Sequence, residues 1–150
     1  MAPPNTLFPF ATLFTVSGTI SSTQANTLED KTTGVITATI STQTIADLDD
    51  LTGSGNAYTI TVGTQQVNAS ALNIVNAATT VDVTATAVTQ ITGGASQLAT
   101  TYGGGIIDLG NEAIIVSGNI TSTQANTIDT YTSGVVRATI STTAIADSYT

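Results

Sequence analysis

The sequence predicts a β-solenoid with a parallel sheet, built from right-handed coils of about 22–31 residues with short helices or irregular arcs on the return side. The first observation behind this prediction is an internal duplication. Residues 14–50 recur as 114–150 with 21 identities in 37 aligned positions. The second is a shorter period of β-branched segments in which apolar and polar residues alternate. A strand, a helix and a parallel strand in succession favour a right-handed wrap.

Six segments carry the alternation and are predicted strands: 14–20, 35–42, 58–64, 81–88, 114–120 and 135–142. Their central inward residues are separated by 22, 22, 25, 31 and 22 positions, and these residues are Val16, Ala38, Ile60, Ala85, Val116 and Ala138. Inward positions, including Gly18 and Gly118, are expected to stack into the core. The 22–31-residue steps match one coil of a solenoid, which needs a strand, a return segment and two corners.

The return segments show helical signals. A stripe at helical spacing, formed by Val67, Ala71, Ile74 and Ala78, predicts a helix. Residues 22–28 and their repeat at 122–128 predict short helices capped by Ser22 and Ser122. Glycines at 34, 53, 55, 93, 94, 103–105 and 134 are expected at the corners, where a tight turn often demands positive φ.

The predicted domain organisation separates residues 1–13, an N-terminal cap or plug, from a solenoid repeat domain at 14–150. That domain consists of a superunit at 14–113 and a partial second copy at 114–150. An open solenoid end needs a cap, or it pairs with another chain. Large apolar residues gather at the start of the chain, and they are the predicted assembly interface: Leu7, Phe8, Phe10, Leu13 and Phe14. Head-to-tail contacts there would build a filament.

Composition narrows the possible functions. Charged residues make up only 8% of the chain, and the net charge is −8. An acidic surface disfavours nucleic acid and anionic lipid, and no apolar run is long enough to insert into a membrane. The absence of both Cys and His removes disulfides, thiolate metal sites and the common catalytic bases. We therefore expect a protein that is not an enzyme.

Threonine supplies 33 of the 150 residues, so the polar surface is rich in hydroxyl groups. Alternation places many of these threonines on the outward face of the sheet: Thr37, Thr39, Thr59, Thr61, Thr84, Thr86 and Thr139. Such a face either stabilises a solvated sheet or binds a ligand such as ice or polysaccharide.

The carboxylates of Asp47, Asp49 and Asp50 form the one acidic cluster considered for Ca²⁺. The repeat keeps only Asp147 of these three, so a solvated corner, with Asp47 capping a turn, is the favoured interpretation. No other cofactor is expected.

Residues 34–42, residues 108–113 and the repeated Ser-Thr-Gln-Ala-Asn-Thr resemble tandem Thr/Ala/Gly-rich repeats of giant secreted or cell-surface proteins of marine cyanobacteria and related bacteria. The resemblance covers residues 14–150. It implies an extracellular or cell-surface location and a role in adhesion or assembly. We expect a structural or adhesive module whose partner is itself, in a head-to-tail filament, or the neighbouring repeats of a longer chain. The alternative is a ligand-binding module that uses the Thr-rich face.

Overall fold

The computed structural model of the chain describes residues 13–141, which form nine strands and five helices. In chain order these elements are β1 (Phe14–Ile20), α1 (Ser22–Glu29), β2 (Ile36–Ile40), α2 (Ile45–Leu48), β3 (Ala57–Thr59), β4 (Gln66–Asn68), α3 (Ala69–Ala77), β5 (Val83–Thr84), β6 (Gln90–Gly93), α4 (Ala95–Thr101), β7 (Ile106–Ile107), β8 (Ala113–Ile120), α5 (Ser122–Asp129) and β9 (Val136–Ile140).

The strands form three short parallel sheets, with the orders β1-β2-β3, β4-β6-β8-β9 and β5-β7. Isolated parallel bridges, such as Gln43 with Val62, link segments outside these strands. Parallel neighbours require crossover connections, and α1, α3, α4 and α5 lie within these connections. One apolar core runs through the described residues and includes Ile36, Tyr58, Leu72, Ile91 and Ile114.

The predicted β-solenoid is wrong, because the chain is a mixed α/β fold with several short parallel sheets and five helices among its described residues. Of the two predicted alternatives for the return segments, α-helices are found in most of them. Three strands were not predicted, namely β4, β6 and β7. The 31-residue step predicted between Ala85 and Val116 contains two of them, β6 and β7, together with α4.

Helix-capping chemistry explains α1 and α5. Each begins with a capping box, in which the side chain of Ser21 or Thr121 accepts the N–H of the glutamine three residues on. The predicted helices at 22–28 and 122–128 are thus confirmed, but each cap lies one residue before the predicted Ser22 or Ser122. Of the apolar stripe predicted for α3, Val67, Ala71 and Ala78 are buried, whereas Ile74 is 48% exposed. Besides Ala71, the helix buries Ala69, Leu72 and Val75.

The sequence duplication is reproduced in the backbone. We call residues 14–50 the first repeat and 114–150 the second repeat. β1 pairs with β2 as β8 pairs with β9, and both pairings shift register before position 19 or 119. Gly18 and Gly118 lie in these irregular segments at φ 89° and 79°. Both are exposed, so they are not the core residues that alternation predicted. Their conformation is one that side chains rarely adopt.

Gly93 has a different role. A Cβ there would lie 2.6 Å from the Cβ of Ala69, so glycine permits β6 to approach α3 closely. The predicted corner at 93 is therefore the end of a buried strand.

None of the helices among residues 13–141 has the length and hydropathy needed to span a bilayer.

Candidate functional site

The most conspicuous surfaces are two free strand edges. Among residues 13–141, β1 pairs only with β2 and β9 pairs only with β8. Each therefore presents a row of backbone donors and acceptors, which is a template for another strand. The duplication allows each edge to be compared with its covered counterpart in the same molecule.

At the β1 edge, equivalent residues differ in burial. Phe14 is 37% exposed, whereas Ile114 in the second repeat is fully buried. Val16 is half-buried and Val116 is buried. The difference arises because β8 has a second neighbouring strand, β6. Residues 90–93 of β6 lie opposite residues 113–116 of β8. Leu13, at 67% exposure, extends the apolar surface beside Phe14.

At the β9 edge, the exposed copy of the strand belongs to the second repeat and the buried copy belongs to the first repeat. Ile36, Ala38 and Ile40 are buried in the first repeat because β3 lies beside β2. Their counterparts in β9 are half-buried at positions 136 and 140 and exposed at Ala138. Val135 adds a side chain that is 63% exposed.

Polar side chains also join the first repeat to the segment that follows it, residues 52–56. Asn56, which is 2% exposed, accepts the Ile36 N–H at 2.9 Å and donates to Glu29 Oε2 at 2.8 Å. Asn26 donates to the Asp50 carbonyl at 2.8 Å and accepts the Thr52 N–H at 2.9 Å. The bond from the Ile36 N–H to Asn56 satisfies a backbone group on the side of β2 that faces β3.

A buried carboxylate lies between β7 and β8. Glu112 is 1% exposed and accepts hydrogen bonds from the Tyr102 hydroxyl and from the N–H groups of Gly110 and Asn111. Burial, and then the bond to Glu112, raise the pKa of Tyr102 well above its ordinary value. The Tyr102 ring stacks on Tyr131 at 4.8 Å between centroids. Every carboxylate oxygen has a donor, so this cluster is a structural brace.

Tyr58, unlike Glu112, carries a buried polar group that is not satisfied. Its side chain is fully buried, and its hydroxyl has no hydrogen-bond partner in the described structure. Burial, followed by the nearby charge of Glu29, raises the pKa of Tyr58 to about 12. The hydroxyl is therefore protonated at neutral pH and contributes bulk to the core.

An open groove of about 230 Å³ lies between α4 and α5. Its lining is mostly apolar or hydroxyl-bearing: Ala95, Ser96, Ala99, Thr123, Gln124, Thr127, Ile128 and Tyr131. No charged side chain lines it. The groove marks a place where the two helices are loosely packed.

The predicted Thr-rich face is divided among sheets. Thr39 lies between Thr19 and Thr59 in register, and these three form one exposed rank across β1, β2 and β3. Thr61 is bridged to a half-buried Thr84. The other predicted members are separated from this rank: Thr37 is half-buried opposite Ala57, Thr86 donates to Asp108 at 3.2 Å, and Thr139 lies opposite Asn119 in another sheet.

The predicted aspartates have local roles. The N-cap of α2 is Thr44, whose side chain accepts the Asp47 N–H and donates to Asp47 Oδ2 at 2.6 Å. Asp49 is the C-cap of this helix, and Asp50 supplies the carbonyl that Asn26 binds. Residues 13–141 hold no group of three side chains suited to a metal ion. Of the predicted assembly residues, Leu13 and Phe14 are exposed, whereas Leu7, Phe8 and Phe10 lie outside the described residues.

Comparisons of this chain with protein-family models, with characterised proteins and with solved structures find no match.

Proposed function

We propose that the chain is a secreted or cell-surface structural module that associates end to end with further copies of itself, through the β9 edge of one molecule and the β1 edge of the next. The observation that carries the proposal is the burial contrast within the duplication. The same strand is buried where a neighbouring strand is present and exposed where residues 13–141 supply none, as Ile114 and Phe14 illustrate. A second molecule can supply the missing neighbour.

The two edges are complementary in their hydrogen-bonding groups. In a parallel ladder, successive residues direct their backbone groups alternately to the two neighbouring strands. Phe14 N–H bonds toward β2, which leaves the groups of Thr15 on the free side of β1. Val135 C=O and Ser141 N–H bond toward β8, which leaves those of Val136 and Ala138 on the free side of β9. Pairing β9 with β1 therefore keeps the apolar residues of both strands on the core side.

Head-to-tail contact of this kind uses two different surfaces, so it propagates unless the rotation closes a ring. The charge of the molecule opposes it, because copies carrying −8 repel one another. The resemblance to repeats of giant cell-surface proteins supports an extracellular structural or adhesive role. In a longer chain, neighbouring repeats would occupy the same two edges.

Sedimentation velocity across a concentration series, with electron microscopy of the same samples, tests the proposal. The informative variant is Thr15→Pro, which removes an N–H from the free side of β1 and leaves the β1–β2 bonds intact. We expect wild type to associate with rising concentration and the variant to stay monomeric. Ala95→Pro is the matched control, because the first position of α4 tolerates proline. A wild-type protein that is monomeric at every concentration would refute the proposal.

A second candidate function is ligand binding by the Thr19–Thr39–Thr59 rank, which the register brings into one exposed row. Strands about 4.8 Å apart space these hydroxyl and methyl groups regularly. Ice or a polysaccharide is the expected ligand class. Thr39→Tyr should abolish thermal hysteresis or polysaccharide retention, whereas Thr139→Tyr, on another sheet, should not. The absence of both activities in wild type would eliminate this candidate.

A further inference from the structure

The two most exposed large apolar side chains among residues 13–141 are Leu13, at 67%, and Val135, at 63%. Each lies one residue before an edge strand, Leu13 before β1 and Val135 before β9. These strands end two different sheets of the molecule. Apolar side chains exposed at an edge are typical of a contact surface when a matching surface is available to cover them.

The registers of the sheets place these residues at equivalent positions of one column. Leu13 lies beside Val35 in the β1–β2 pairing, and Ala113 lies beside Val135 in the β8–β9 pairing. Ala113 has a second neighbour on its other side, Gln90 of β6. Within the part of the chain that the structure describes, the column is thus open beside Leu13 at one end and beside Val135 at the other.

The strand contact available at this edge is short. β6 lies opposite residues 113–116 of β8 only, and the pairing stops at the irregular segment that contains Gly118. The duplication therefore predicts that β1 offers residues 13–16 to a neighbour in the same way. Because so short a ladder supplies few backbone hydrogen bonds, the side chains determine its register.

We propose that Val135 is a specificity-determining residue of the end-to-end contact, where its side chain packs against Leu13 of a second molecule. This inference rests on the proposed function. Continuing the column across the contact places Leu13 of the second molecule between Val135 of the first and its own Val35, which is 44% exposed. The contact removes apolar surface of all three side chains from water.

The pair selects one register among those that the backbone would accept. A shift of one residue turns the apolar side chains of β1 to the wrong face of the sheet. A shift of two residues keeps the faces but places Leu13 opposite Arg137 or Ser133. Neither side chain replaces an apolar partner, so the shifted contacts are weaker than the one that joins Leu13 to Val135.

The experiment compares the self-association constants of wild type and Val135→Thr by sedimentation. Threonine keeps the branched shape of valine and its preference for a strand, but it replaces a methyl group by a hydroxyl. The matched control is Val81→Thr, because Val81 is also partly exposed, at 38%, but lies outside both edge strands. We expect Val135→Thr to weaken association roughly fivefold and the control to leave it unchanged.

A charge-complementation test identifies Leu13 as the partner. Leu13→Lys and Val135→Glu should each weaken association, whereas an equimolar mixture of the two proteins should associate more strongly than either alone. In the mixture every contact joins either Lys with Glu or the two native apolar side chains. A mixture of Leu13→Lys with Val81→Glu should show no such recovery.

Wild-type affinity in Val135→Thr would overturn the specificity role while leaving the proposed function intact. Weakened association without recovery in the charge-complemented mixture would overturn the pairing with Leu13. A melting temperature lowered in dilute Val135→Thr but not in Val81→Thr would also overturn the role, because Val135 would then stabilise the monomer. Failure of wild type to associate at all would instead overturn the proposed function, and this inference with it.

Discussion

The hydrogen bonds of the buried carboxylate of Glu112 should contribute a measurable share of the folding stability. Replacing it by alanine removes three hydrogen bonds to a charged group and leaves the Gly110 and Asn111 N–H groups without their acceptor. Hydrogen bonds to charged groups contribute about 1.5–3 kcal/mol each, and part of that is recovered by water entering the cavity. We expect Glu112→Ala to lower the free energy of unfolding by roughly 3–5 kcal/mol. Such a loss is a large fraction of the total stability of a domain this size.

Glu112→Gln is the matched control, because it keeps the shape and one acceptor oxygen but removes the charge. It should cost about 1–2 kcal/mol. Urea unfolding followed by circular dichroism measures both variants, with an unchanged m-value as the check that the folded state is otherwise intact. A Tyr102→Phe variant completes a double-mutant cycle with Glu112→Gln, and the two changes should be non-additive. A loss below about 1 kcal/mol in Glu112→Ala would refute the reasoning.

Three further predictions concern Tyr58, Asn56 and the net charge. Tyr58→Phe removes a hydroxyl without a partner, so urea unfolding at pH 7 should show unchanged stability or a gain of up to about 1 kcal/mol. The pKa of Tyr58 is about 12 in the folded protein, whereas the unfolded side chain titrates near 10. The folding stability that this difference contributes is therefore complete below pH 10 and is lost as the pH rises to 12. This loss, up to roughly 3 kcal/mol, should be absent from alkaline unfolding of the Phe variant. Asn56→Ala leaves the Ile36 N–H without its acceptor and Glu29 without a donor, and thermal unfolding should show a loss of about 2–4 kcal/mol; a loss under 1 kcal/mol would contradict this role. Sodium chloride should strengthen self-association by screening the charge of −8, and weakening with salt in sedimentation would count against edge pairing.

Strands with β-branched alternation could be predicted from the sequence. The first predicted strand coincides with β1, and the predicted 114–120 differs from β8 by one residue. The short strands could not be predicted in this way. β4 and β6 are three and four residues long, contain Gln, Asn or Gly, and are strands only because distant segments pair with them. Long-range pairing leaves no local periodic signal.

The overall fold class was mispredicted for a related reason. The sequence shows a repeat, but a repeat alone does not show that the strands divide among three short parallel sheets. The capping boxes at Ser21 and Thr121 were readable as Ser or Thr followed three residues later by Gln. The duplicated Asn26 and Asn126 were also visible, yet only the contacts of Asn26 show what the side chain does.

Among the candidate surfaces, exposure at Leu13 and Phe14 agrees with the predicted apolar start of the chain. In the aspartate cluster, the Asp47 side chain accepts the hydroxyl of Thr44, which is the N-cap of α2. The Thr-rich face was predicted as one surface because alternation gives the side of a strand but not its sheet. The sheet orders assign Thr39 and Thr139 to different sheets.

Site-specific crosslinking tests the central claim most directly, since the chain contains no native cysteine. The pairings of Thr15 with Thr37 and of Ile115 with Arg137 place Arg137 of one molecule beside Thr15 of the next in a continued stack. We predict that a mixture of Thr15→Cys and Arg137→Cys proteins forms crosslinked dimers under oxidation or with a short thiol-reactive linker, and that neither protein does so alone. Crosslinking of Thr15→Cys with itself, or none in the mixture, would contradict head-to-tail assembly through β9 and β1.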